Sequence, residues 1–125
     1  MSNVWIPKSA GHDFTAADRY GSVQFVYTDS QHLFNPERLL EAARDRMAQS
    51  TAKDYFLPSG PQLMNIMAFI ALLERHGVVR LLLFDARTDV YQERCYYGQQ
   101  NSGGGRTTGV DFPKEADAGR ADSVA

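Results

Sequence analysis

The sequence predicts an α/β fold: a mainly parallel sheet with helices on both faces and one antiparallel edge strand. Three observations predict it. Strand-like and helix-like segments alternate from Val4 to Tyr97, as a parallel sheet with right-handed crossovers requires. Val78 to Phe84 is a near-continuous apolar run, the pattern of a central strand covered on both sides. Asp54-Tyr55-Phe56-Leu57-Pro58-Ser59-Gly60-Pro61 reads as a short buried strand, a Ser-Gly turn, and a proline opening the next helix.

Val4-Trp5-Ile6 is a first short strand, leading into a polar turn, Ser9-Ala10-Gly11-His12-Asp13. Thr15 to Tyr20 makes one or two helical turns, which Gly21 is placed to end in the left-handed conformation. Val23 to Tyr27 alternates and is rich in β-branched and aromatic residues, hence a strand. Asn35-Pro36 supplies a helix cap and a first-position proline. Leu39, Ala43 and Met47 then recur every four residues with Leu40 beside them, while Glu37, Glu41, Arg44 and Asp45 take the wet side. This is a helix lying on a sheet.

Tyr55 to Leu57 is the third strand. The next helix, Pro61 to His76, ends at Gly77 and differs from the first. Leu63, Met64, Ile66, Met67, Phe69, Ile70, Leu72 and Leu73 cover most of its circumference. A helix apolar on all sides is buried on all sides, so either it is central or one face meets another subunit. After the Val78–Phe84 strand and the turn Asp85 to Asp89, Val90 to Tyr96 alternates and returns antiparallel, the turn being too short for a crossover. The order describes a small Rossmann-like or flavodoxin-like three-layer sandwich over residues 1–97, a single domain. From Gly98 to Ala125 the chain is rich in Gly, Ser, Thr, Asp and Ala, and such a composition predicts a flexible tail. Within it, the segment Val110-Asp111-Phe112-Pro113 reads as an inert stretch or a short docking motif.

With 125 residues, 43% hydrophobic and 22% charged, the chain is one domain's worth of ordinary globular composition. Its net charge of -2 is spread evenly and makes no basic field, so nucleic acid is not an expected partner. The one cysteine, Cys95, excludes an internal disulfide and argues against a cysteine-based zinc site. The amino terminus shows no secretion signal, and the longest apolar run, Ile66 to Leu73, is far short of the roughly 20 residues of a bilayer span. A soluble protein with no membrane role is expected. No metal and no cofactor are expected either: His12, His32 and His76 are dispersed and make no ligand spacing.

Two small-residue turns follow strands that run parallel, and so lie on one rim of the sheet, where open α/β sheets hold ligands. Ser9, Gly11, His12 and Asp13 come from the first, Ser59 and Gly60 from the second, Thr28 from the end of the second strand, and Asn65 from one turn into the helix. Hydroxyls, free N–H groups, an imidazole and carboxylates converging there suit a small anion or nucleotide. Turn and cap chemistry accounts for the same residues without a ligand. Neither turn is a complete phosphate-binding fingerprint. His12-Asp13 sets an imidazole beside a carboxylate, the makings of acid–base catalysis, though Asp13 is equally placed to cap the following helix. Asn65 fits a ligand contact, a backbone contact or a helix partner.

Gly11-His12-Asp13-Phe14, Ala17, Tyr20-Gly21, Asp54 to Gly60, Glu74-Arg75-His76-Gly77 and Leu81-Leu82-Leu83-Phe84-Asp85 together resemble a family of small uncharacterised proteins of tailed-phage genomes. The similarity covers roughly residues 4–97. Pro58 departs from the plain apolar residue expected at its position, and stiffens the turn. The resemblance implies a phage or prophage source and the cytoplasm of a bacterial host, and it carries over no catalytic residue. Three functions follow. One is an accessory protein binding a small anion, a nucleotide or a host protein at the strand ends. Another is a small hydrolase or transferase using His12 and Asp13. The third is a homo-oligomer assembled through the helix Pro61 to His76.

Overall fold

The computed structural model describes residues 2–99. Five strands form one sheet in the order β2-β1-β3-β4-β5: β1 (Asn3–Ile6), β2 (Ser22–Phe25), β3 (Tyr55–Phe56), β4 (Val78–Asp85) and β5 (Val90–Tyr97). β1 to β4 run parallel, and β5 returns antiparallel along the whole of β4, from Val78 opposite Tyr97 to Asp85 opposite Val90. The mostly parallel α/β sheet with one antiparallel pair is thus the architecture the alternation predicts.

The direction of each crossover decides which face it covers. The connection from β1 to β2 steps one way along the sheet. Those from β2 to β3 and from β3 to β4 step the other way, so right-handed crossovers put them on the opposite face. The apolar clusters agree. Trp5, Phe56 and Val79 face the helices α1 (Pro36–Arg46) and α2 (Gln62–His76), burying Leu39, Ala43, Met47, Met64, Ala68 and Leu72. On the other face Val4, Ile6, Leu57 and Leu82 meet Ala17 of a short 3₁₀ helix, Thr15–Tyr20, with Phe14, Tyr20 and Tyr91 around it.

Local signals set most of the boundaries. Asn35 caps α1 by accepting from the Arg38 N–H, 3.2 Å away, with Pro36 at the first position. Gly77 closes α2 in the left-handed conformation, its N–H donating to the Leu73 carbonyl. Two details differ from expectation. Pro61 sits one residue before α2, at the cap position, so its fixed φ ends the turn rather than starting the helix. Gly21 is not left-handed; its φ is 152°, and a Cβ there would lie 2.3 Å from the Ser2 carbonyl oxygen. Gly21 still ends the short helix, its N–H donating to the Asp18 carbonyl, and the positive φ together with the close backbone approach requires a glycine there.

The predicted tail begins with an ordered contact: the Gly98 N–H donates to the Gly77 carbonyl at 2.7 Å. Its remainder, residues 100–125, with the Val110 to Pro113 segment, lies outside the described residues. Among the described residues, no helix is long and apolar enough to cross a membrane.

Candidate functional site

β1 and β3 are neighbours in the sheet, so the turns that leave them leave side by side. The Leu57 N–H donates to the Trp5 carbonyl at 2.9 Å, and beyond it the Lys8 N–H donates to the Ser59 carbonyl at 3.2 Å. A Cβ on Gly60 would lie 2.6 Å from the Lys8 Cβ, which shows how tightly the two chains run together. The bend near residue 10 and the bend near residue 59 thus meet on the carboxyl rim of the parallel strands. First one way and then the other, crossovers depart from this rim, and the split between β1 and β3 opens there.

A cleft of about 300 Å³ occupies this place, lined by His12, Asp13, Phe14, Leu57, Pro58, Ser59, Gly60, Phe84 and Tyr91. Of the residues singled out by sequence, it brings together His12, Asp13, Ser59 and Gly60. Ser9 and Gly11 belong to the same bend but not to its wall: Ser9 receives the His12 backbone N–H at 3.1 Å, and Gly11 is exposed with a φ of 77°. Thr28 is exposed beyond the end of β2 and does not line the cleft. Asn65 is also absent from the wall. Its Oδ1 accepts from the Ser59 N–H at 2.8 Å, while Nδ2 donates to the carbonyls of Ser59, Gly60 and Pro61 at 3.1, 3.0 and 2.9 Å. The amide is spent on holding the turn, so Asn65 shapes the cleft by fixing Ser59 and Gly60.

The chemistry of the wall is aromatic with a polar floor. Phe84 and Tyr91 stand opposite each other in the β4–β5 ladder, ring centroids 5.5 Å apart at 69°. Phe14 contributes a third ring, edge-on to Phe25 at 5.9 Å. Phe84 is 55% exposed, a large apolar ring left open to solvent. Asp13 accepts from the Thr15 N–H at 2.9 Å and from its hydroxyl at 2.5 Å, and these bonds hold its carboxyl below the usual carboxylate range. The carboxylate is therefore an anion at neutral pH. Burial pushes the Tyr91 phenol upward, and the charge of Asp13 adds to the effect, so the two groups share one environment. Ser59 Oγ is buried without a hydrogen-bond partner. Such an orphan hydroxyl is uncommon and calls for a physical reason.

His12 and Asp13 are adjacent in sequence but not joined by an ion pair among the described residues; the carboxylate faces Thr15. Asp13 thus ties the turn ahead of the short helix rather than capping it, since Phe14 holds the cap position and no side chain bonds there. Sequence reasoning missed the rings of the wall: Phe14, Phe84 and Tyr91. Phe84 and Tyr91 were legible in principle, since the hairpin folds Tyr91 back beside Phe84 at the carboxyl end of β4, on the same rim as the two bends. Elsewhere, His32 sits in a loop with a φ of 62°. His76 Nε2 lies 2.8 Å from Ser50 Oγ on the α-helical side.

A sequence-family model described as Phage Pam3 gp32-like protein matches residues 3–96. No curated protein and no solved structure matches the chain.

Proposed function

The chain belongs to the Phage Pam3 gp32-like protein family, and on that premise we propose that it is a phage accessory protein binding a nucleotide-like small molecule at the carboxyl rim of its sheet. The observation that carries the reading is the cleft shared by the two bends and three aromatic rings. Flat faces at Phe14, Phe84 and Tyr91 suit a planar heterocycle, whose burial among them would supply most of the affinity. The Asp13 carboxylate accepts hydrogen bonds from ring or exocyclic N–H groups, and the unpartnered Ser59 hydroxyl has a bond to offer. No lysine or arginine lines the wall, which favours a nucleoside or nucleotide base over a bare anion, since nothing there neutralises one.

The strand order supports a finer architectural reading as well. The sequence 2-1-3-4-5 along the sheet is the flavodoxin-like order, whose ligands sit at the β1/β3 switch. In this reading the chain is a reduced Rossmann-like sandwich with its last strand reversed. A protein of this kind works in the cytoplasm of the infected bacterium, where nucleotides are abundant.

A thermal-shift screen against nucleosides, nucleotides and signalling dinucleotides tests the proposal. A ligand present at 100 times its Kd adds about 2.7 kcal/mol to stability, an easily read shift. Phe84→Ala should abolish that shift while leaving the unliganded melting curve near that of the native chain; Tyr91→Ala should abolish it too but with a lowered unliganded curve, because its ring also packs against the Ala17 cluster. Absence of any shift across the screen would overturn the reading and direct attention to a host protein as the ligand.

A further inference from the structure

We propose that two copies of this chain associate edge to edge through β5, continuing the sheet antiparallel across a two-fold axis. The two edges of the sheet are built differently. At the β2 edge the strand has four residues, and Arg46 closes it off. Its Nε donates to the Phe25 carbonyl at 3.0 Å, its Nη2 to Gln24 Oε1 at 3.2 Å, and its guanidinium lies over the Trp5 ring. At the β5 edge the strand has eight residues, paired with β4 in unbroken register and free of proline. Long, flat, unbulged edges are templates for further pairing.

Among the described residues, the ladder fixes which backbone groups are free. The Gly98 N–H bonds the Gly77 carbonyl opposite it, making that a hydrogen-bonded pair, and such pairs alternate along an antiparallel ladder. Tyr96, Arg94, Gln92 and Val90 therefore turn their N–H and C=O groups toward β4. Tyr97, Cys95, Glu93 and Tyr91 turn theirs outward. Apolar surface accompanies them: Tyr97 is 68% exposed and Tyr96 46%. Behind Tyr96 stands α2, whose Phe69 ring lies 5.9 Å from it and whose Ile66 is 48% exposed.

Charge along β5 identifies the occupant as a second copy. A two-fold axis keeps each side chain on its own face, so an acceptable register must be centred on one residue paired with itself. Centring on Glu93 or on Arg94 sets like charges directly opposite, which is destabilising. Centring on Gln92 leaves Tyr96 and Tyr97 uncovered. Centring on Cys95 opposes like charges nowhere. Arg94 then faces Tyr96 of the partner subunit, a cation–π partner, and Glu93 faces Tyr97 of the partner subunit. In the single chain Arg94 Nη1 folds back onto the outward Glu93 carbonyl at 2.7 Å; association exchanges this exposed contact for a ladder bond. The same axis brings the open faces of two α2 helices to either side of the seam, the meeting that their apolar circumference suggests.

Light scattering on the full chain in reducing buffer should give twice the mass of one chain. Cys95→Pro removes only an outward N–H and leaves the β4 ladder intact, so it should return the mass to that of a monomer. A second measurement needs no variant. Directly opposed residues of a hydrogen-bonded antiparallel pair have Cα atoms about 5.5 Å apart, within disulfide reach. Diamide should therefore link Cys95 to Cys95 of the partner subunit, two thiols giving one disulfide while two electrons and two protons pass to the diazene. A chain that stays monomeric at every concentration overturns the proposal. So does a reduced dimer whose Cys95 fails to cross-link.

Discussion

Asp54 is 5% exposed and receives four hydrogen bonds. Its Oδ1 accepts from the Asn3 N–H and the Thr51 hydroxyl, both at 3.0 Å; its Oδ2 accepts from Trp5 Nε1 at 2.8 Å and the Thr51 N–H at 3.0 Å. One carboxylate thus ties the start of β1 to the turn before β3. Burial alone would raise its pKa, but the donors outweigh burial and hold it below 3.8. Asp54→Asn offers one acceptor oxygen where two are needed, and should cost about 2 kcal/mol, seen as a lower denaturation midpoint at unchanged slope. Gly60 and Gly11 give a second contrast. Both have positive φ, but a Cβ meets Lys8 at 2.6 Å only at Gly60, and nothing within 4 Å at Gly11. Gly11→Ala should cost about 1 kcal/mol of backbone strain. Gly60→Ala should cost clearly more, and should open the cleft by driving the bends apart. Neither Asp54 nor Gly60 could be read fully from sequence, because the partners that define them, Trp5 and Lys8, lie about fifty residues away. Asn35 and Gly77 could be read, since their partners are within one helical turn.

At the scale of elements, α2 shows what an all-round apolar pattern means in a chain this short. Met64, Ala68 and Leu72 repeat every four residues on one buried stripe, with Met67 and Ala71 beside it in the same core. Leu63, Phe69, Ile70 and Leu73 are only partly covered. Between the helices, Arg44 reaches Glu74 with two 3.0 Å bonds, an exposed pair that solvent screening leaves with little effect on stability. Small residues matter more to this packing. Ala68 is fully buried, so Ala68→Leu should overpack the layer and cost about 1–3 kcal/mol, measurable by urea titration. The periodicity of α1 and α2 could be read in sequence because helix patterning is local. That α2 leaves one side open could not: it depends on β5 being the last strand among the described residues, with no described helix to cover that side.

At the scale of the molecule, groups buried in different layers give stability a pH dependence with two limbs. On the acid side, burial and the neighbouring Arg75 charge hold His76 below its ordinary 6.5. A depressed folded pKa contributes stability present above the unfolded value and lost as pH falls, so the first loss begins below about 6.5. Asp54, with the same sign, adds a second loss below 3.8. On the alkaline side Tyr27 is buried and donates to the Leu39 carbonyl at 2.6 Å, and burial pushes its phenol up to about 12. A raised folded pKa contributes stability present below the unfolded value and lost as pH rises through the folded one. Its limb therefore lies between 10 and about 12. Melting temperature should plateau from about pH 6.5 to 10 and fall on either side. His76→Gln should remove the first acid step and leave the second, and Tyr27→Phe should flatten the alkaline limb. In an ultraviolet titration, the native chain should show a late-ionising phenol that is missing from Tyr27→Phe. Should the two titration curves keep the same late component, the Tyr27 hydroxyl is not held against α1, and the anchoring of that helix to the end of β2 is wrong.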